Sequence, residues 1–96
     1  TRVGDQPERI LVSAIRTNTD WTDWRLDSAV EVHRARQDWE GADLPADASN
    51  YGSIMRRVNQ LRDPAIYQED GRIYLLYACA GEQGIGIGEL VSNQPV

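Results

Sequence analysis

Residues 62–90 constrain the fold more than any other part of this sequence. Within them, Asp70-Gly71 lies between two runs rich in β-branched and aromatic residues. An Asp-Gly pair favours a type I′ turn, because both central positions of that turn need a positive φ angle. The sequence therefore predicts a β-hairpin with one strand from Pro64 to Gln68 and the next from Arg72 to Ala80.

The second strand of this hairpin is apolar on both faces, which predicts that other parts of the structure cover it on both sides. A third strand follows from Ile85 to Leu90 and alternates isoleucine with glycine, after a turn bracketed by Gly81 and Gly84. One face of that third strand carries almost no side chains. We expect another backbone or a large side chain to approach this bare face closely.

Upstream of the hairpin, the pattern predicts two more strands. Residues 9–15 form an apolar, β-branched run that is typical of a buried strand. Residues from about Arg25 to Arg34 are predicted to form a second strand, with a helix as the alternative. Residues 37–48 are acidic and carry a glycine and a proline, so we expect an irregular connection there.

Apolar residues with helical spacing then predict one short helix over residues 49–61, with an ordered loop as the alternative. The residues on its apolar face are Ile54, Met55, Val58 and Leu61. Residues 92–96 are expected to form a frayed tail. Ninety-six residues suffice for a single domain with a small core.

Composition excludes several function classes. The net charge is −5 and the basic residues form no cluster, so nucleic acid is not an expected partner. No apolar run approaches the roughly 20 residues of a membrane span, so no membrane association is expected. The lone Cys79 allows no disulfide within the chain and favours a cytoplasmic over a secreted protein. The first residue is not methionine, so we expect a trimmed chain or a later part of a longer gene.

We expect neither a metal nor another cofactor. His33 is the only histidine, and no second strong ligand stands at a suitable spacing. Glycines 84, 86 and 88 form a GxGxG pattern inside a strand, without the following helix that a dinucleotide site requires.

Several motifs in residues 62–90 resemble the last blade of the five-bladed β-propeller glycosidases, which are similar to glycoside hydrolase family 43 and its uncharacterised relatives. These motifs are Arg62-Asp63-Pro64, Asp70-Gly71-Arg72, Tyr74-Leu75-Leu76-Tyr77, and Ala80-Gly81-Glu82 with Gly84-Ile85. Residues 9–15, Trp21 with Trp24, and Trp39-Glu40-Gly41 resemble part of the preceding blade.

This resemblance implies a mainly β fold of antiparallel meander sheets, equivalent to one or two incomplete blades. Residues 1–36 would form a partial blade, and residues 62–91 a three-stranded one. An incomplete ring leaves sheet edges and faces open. We therefore expect self-association into a homo-oligomer; the alternative is that the chain is one portion of a longer propeller.

One end of the predicted meander gathers the candidate site residues. Arg62 and Asp63 begin the first strand, and Glu82 and Gln83 lie in the loop between the other two, so a meander brings all four to the same end. Two carboxylates beside an arginine suit acid–base work on a sugar. The candidate catalytic residues are Asp63 and Glu82, and the candidate ligand-binding residues are Arg62, Gln83 and Trp39. The alternative is that Arg62 and Asp63 form a structural pair and that Glu82 is a solvated turn residue.

These observations favour a binding or assembly module without independent catalysis. Its ligand would be a carbohydrate or another small polar molecule. The alternative function is a glycoside hydrolase whose active site is completed across the subunits of a homo-oligomer.

Overall fold

The computed structural model describes residues 1–91, and the tail predicted over residues 92–96 lies outside them. The mainly β prediction is confirmed, because the regular structure consists of two antiparallel sheets and two three-residue 3-10 turns. The strands are β1 (Ile10–Val12), β2 (Val30–His33), β3 (Arg62–Glu69), β4 (Arg72–Cys79) and β5 (Gly84–Leu90). The 3-10 turns are Trp21–Asp23 and Asp38–Glu40.

The first sheet pairs β1 with β2 and is smaller than the sequence predicted. Its ladder runs from Ile10 opposite His33 to Val12 opposite Val30. Beyond it, one isolated bridge joins Ile15 to Leu26. Residues 21–30 are all exposed. Since nothing packs on them, the two strands do not reach their predicted lengths.

The second sheet is the predicted meander, with the strand order β3-β4-β5. Asp70 and Gly71 have φ angles of 52° and 77°, which confirms the predicted positive-φ turn between β3 and β4. The turn before β5 begins in the same way, with φ angles of 51° at Ala80 and 77° at Gly81.

The inner face of this sheet forms the core of the chain. Leu75, Tyr77 and Cys79 of β4 are buried there against Ile10 and Leu61. The Tyr77 ring lies directly on the neighbouring strand at Gly86, where an added Cβ would come within 2.5 Å of Tyr77 Cζ. The predicted close approach to the bare face of β5 is therefore confirmed.

The outer face of the same sheet is left uncovered by the described residues. It is lined by cross-strand neighbours such as Ala65, Leu76 and Ile87, which form one row across β3, β4 and β5. Ile85 and Ile87 are 80% and 61% exposed. The prediction that β4 is covered on both faces is therefore wrong for this face within a single chain.

The helix predicted over residues 49–61 is also wrong, and the segment is an ordered loop. Gly52 adopts a φ angle of 92°, which a right-handed helix does not allow. The backbone bonds to distant segments instead, since the Leu61 N–H donates to Glu8 and the Asn59 N–H donates to Pro45. Val58 and Leu61 are buried as the pattern suggested, but Met55 is 87% exposed.

Candidate functional site

The candidate site is built around Glu40, a carboxylate that is only 1% exposed. Glu40 ends the 3-10 turn Asp38–Glu40, and its Oε1 accepts the backbone N–H groups of Arg36 (3.1 Å) and Gln37 (3.0 Å). Gly41 follows with a φ angle of 98°, and a Cβ there would lie 3.0 Å from Ala80 Cα. The turn therefore packs tightly against the end of β4 and holds Glu40 inside the protein.

Side chains from both sheets complete the surroundings of Glu40. Tyr77 of β4 donates its hydroxyl hydrogen to Glu40 Oε2 at 2.6 Å. His33, at the end of β2, places Nε2 2.6 Å from the same oxygen. The His33 and Tyr77 rings pack edge to face, with centroids 5.2 Å apart. One carboxylate thus ties together the two sheets and the connection between them.

These contacts set the charge state of Glu40. Burial raises the pKa of its carboxyl, but the hydrogen bonds from Tyr77, His33 and the backbone together outweigh burial and lower the pKa to about 2. Glu40 is therefore ionised at neutral pH. Burial and the adjacent Glu40 raise the pKa of the Tyr77 hydroxyl, so that it remains a neutral donor.

The ionised carboxylate also fixes the tautomer of His33. An ionised carboxylate only accepts hydrogen bonds, so the proton between the two groups must be on His33 Nε2. In the neutral ring, Nδ1 is then an acceptor. The contact with Glu40 uses Nε2, and no hydrogen bond of Nδ1 is found among residues 1–91.

A cavity of about 410 Å³ adjoins this cluster. Its size falls within the range of small-molecule sites, about 300–1,000 Å³. Trp39, which is 51% exposed, lines it together with the polar side chains of Arg36 and Gln37. Four consecutive residues of β5 also line it, namely Ile87, Gly88, Glu89 and Leu90. Leu75 and Tyr77 of the inner face of β4 line it too, so the cavity lies at the inner face of the sheet beside β5.

Arg62, predicted to bind ligand, is instead a buried structural residue. Its guanidinium forms ion pairs with Glu8 at 3.2 Å and Glu82 at 3.3 Å. It also donates to the carbonyl oxygens of Asn50 and Gly52 and to the side chain of Gln60. These contacts join the N-terminal arm, the 49–61 loop and the turn before β5, and they leave the guanidinium little capacity for a ligand.

The structure does bring the other three predicted residues of that end together. Asp63, Glu82 and Gln83 line one open depression beside Ala78 and Ile85. Asp63 adopts a φ angle of 52°, which is uncommon for a residue other than glycine. Trp39 lines the separate cavity beside Glu40, so it does not join this group.

Sequence reasoning missed the cluster of His33, Glu40 and Tyr77. One local signal was available, because Gln37 and Glu40 have the spacing of a helix start in which the glutamate side chain bonds back to the backbone. No local pattern indicates that Tyr77 meets Glu40, since 37 positions separate them.

Cys79 is a buried core residue, as predicted. Burial raises the pKa of its thiol, with Glu40 adding to the shift, so the thiol stays protonated at neutral pH. Among residues 1–91, no group of three or more His, Cys, Asp and Glu side chains is arranged to hold a metal ion. The helices in that part of the chain are all too short to cross a membrane.

Comparison with known proteins finds one informative similarity. The chain is 48% identical over 86 residues to an uncharacterized protein of Acanthamoeba polyphaga mimivirus. The match covers 88% of this chain and 24% of the viral protein, so the chain spans about a quarter of that relative's length. No family model matches the chain, and no solved structure matches it.

Proposed function

We propose that this chain is an assembly module without independent catalysis, which completes its fold by associating with further copies of itself. The observation that carries this proposal is the uncovered outer face of the β3-β4-β5 sheet. Tyr67, Ile85 and Ile87 are each more than half exposed on this face. An apolar sheet face that meets only water is unfavourable, and burying it in an interface would stabilise the assembly by roughly 25 cal/mol per Å² of apolar area.

The total exposed area supports the same proposal. The chain exposes 7103 Å², whereas a folded monomer of its mass, 10.8 kDa, exposes about 5,500 Å². The difference of about 1,600 Å² exceeds the roughly 800 Å² that each partner loses in an interface of standard size. The Cα radius of gyration is 15.0 Å, against about 12.5 Å for an ordinary domain of this length.

The cavity beside Glu40 favours a small polar ligand, such as a carbohydrate, as a second role of the module. Trp39 offers an aromatic face to a sugar ring, while Gln37 and the unbonded Nδ1 of His33 offer hydrogen-bonding groups. The ligand site proposed here is therefore this cavity, and not the end of the sheet where Arg62 is committed to structural ion pairs.

Asp63 favours the alternative function, a glycoside hydrolase completed across subunits. Its carboxylate is exposed, holds an uncommon backbone conformation, and lies in the same depression as Glu82. Strained residues of this kind cluster at active sites. An assembled hydrolase should lose turnover of aryl glycosides in Asp63→Asn while keeping its mass, with Glu69→Gln on β3 as the control. The alternative fails when the wild-type chain turns over no aryl or natural glycoside at any concentration.

Thermal unfolding tests the assembly proposal. Any partner that binds only the folded state raises the unfolding temperature by mass action. For a self-associating chain, the midpoint should therefore rise by several degrees across a roughly hundredfold increase in protein concentration. A midpoint that does not depend on concentration would contradict the proposal.

A further inference from the structure

The two edges of the β3-β4-β5 sheet are protected very differently. At the β3 edge, the register shifts between Arg62 and Ala65, and Asp63 adopts a positive φ angle. Pro64 has no N–H to donate to another strand. A bulge, a proline and charged side chains are the usual devices by which a sheet edge avoids pairing with other chains.

The β5 edge has none of these devices over most of its length. All seven residues of β5 pair with β4 without a register shift. Within residues 1–91, no strand pairs with the other edge of β5. Its sequence, GIGIGEL, contains no proline and no charge before Glu89. Residues 85, 87, 88 and 89 of β5 are exposed.

From this asymmetry, we infer that β5 is the strand through which two copies of the chain pair, antiparallel and related by a two-fold axis. The inference rests on the proposed self-association and adds the β5 edge to the outer sheet face as a contact surface. Pairing would satisfy the outward backbone N–H and C=O groups of both strands and join two three-stranded sheets into one of six strands.

A second copy fits this edge better than an unrelated strand, because β5 is complementary to itself. A two-fold axis perpendicular to the sheet keeps each face continuous across the new junction. Ile85 and Ile87 of one copy would then lie beside the same residues of the other on the outer face. On the inner face, residues 84, 86 and 88 of β5 are glycines, whose missing side chains leave room for a second backbone to approach.

A charge on β5 tests the inference. Ile87→Lys places two ammonium groups close together across the proposed junction, where like charges oppose pairing. Ile87 is 61% exposed, so the fold of each copy should tolerate the change. Tyr67→Lys adds the same charge to the same outer face on the protected β3 edge, where Tyr67 is 52% exposed, and is the matched control. We expect Ile87→Lys to halve the mass measured by light scattering, with an unchanged circular dichroism spectrum, and Tyr67→Lys, which leaves β5 unchanged, to keep the wild-type mass.

Cross-linking gives an independent readout. Ile87→Cys, treated with a short bismaleimide, should yield a covalent dimer, whereas Gln68→Cys should not. An Ile87→Lys variant that keeps the wild-type mass, or an Ile87→Cys variant that does not cross-link, overturns the inference about β5 but leaves the assembly proposal standing. A wild-type chain that is monomeric overturns both.

Discussion

At the scale of single residues, Glu40 is where the buried polar contacts of this chain converge. Its two carboxylate oxygens accept four hydrogen bonds, from the side chains of His33 and Tyr77 and from two backbone N–H groups. A buried charge is tolerated only when it is satisfied to this degree. The same contacts hold His33 beside the cavity, so the proposed ligand site depends on this carboxylate.

Replacing this carboxylate should therefore be costly. Glu40→Gln keeps the shape of the side chain but replaces one accepting oxygen by a donating NH₂ group. This NH₂ group would then face a hydrogen-bond donor of the surrounding residues. We expect the free energy of unfolding to fall by about 2–4 kcal/mol, measured by urea denaturation at neutral pH. Glu69→Gln, at an exposed carboxylate of β3, is the control and should change stability by less than about 0.5 kcal/mol. An equal effect of the two substitutions would contradict the central role of Glu40.

The lowered pKa of Glu40 also predicts a dependence of stability on pH. The folded value is about 2 and the ordinary value is 4.5. Because the folded pKa is the lower one, this group's contribution is fully present above about pH 4.5 and is lost as the pH falls toward 2. The pKa of the exposed Glu31 is also lowered, by its hydrogen bonds with Arg34 and Arg9. Urea denaturation at several pH values should show a flatter acid limb in Glu40→Gln than in the wild type; identical limbs would contradict the assignment.

At the scale of structural elements, the contact between β4 and β5 depends on a glycine. Gly86→Ala would place a methyl group 2.5 Å from Tyr77 Cζ, so the ring or the strand must move. We expect a loss of about 1–3 kcal/mol in the free energy of unfolding. Gly88→Ala is the matched control, because an added Cβ there meets no atom within 4 Å. Equal stability of the two variants in urea would show that Tyr77 does not pack on β5 as described.

The elements that local patterns determine were the ones predicted correctly. The Asp70-Gly71 turn and the glycine face of β5 follow from backbone sterics that the sequence displays directly. The prediction of a helix over residues 49–61 was wrong, although the hydrophobic spacing suits one. Gly52 has a positive φ angle, and the backbone of this segment bonds to distant residues instead. The His33–Glu40–Tyr77 cluster could not be predicted, because its members meet only after both sheets have formed.

At the scale of the whole molecule, the excess of exposed surface is the main finding. Both the outer sheet face and the β5 edge lack a covering layer in residues 1–91. Pairing of two β5 strands covers the edge, and the outer face, which stays continuous across that junction, needs a separate contact between copies.

The solution mass of the wild-type chain tests this account most directly. We would measure it by light scattering after size-exclusion chromatography at neutral pH. The account predicts a discrete assembly of at least two chains, each of 10.8 kDa. A single peak with the mass of one chain at all accessible concentrations would contradict it, and would mean that this sheet face and this strand edge remain exposed to water.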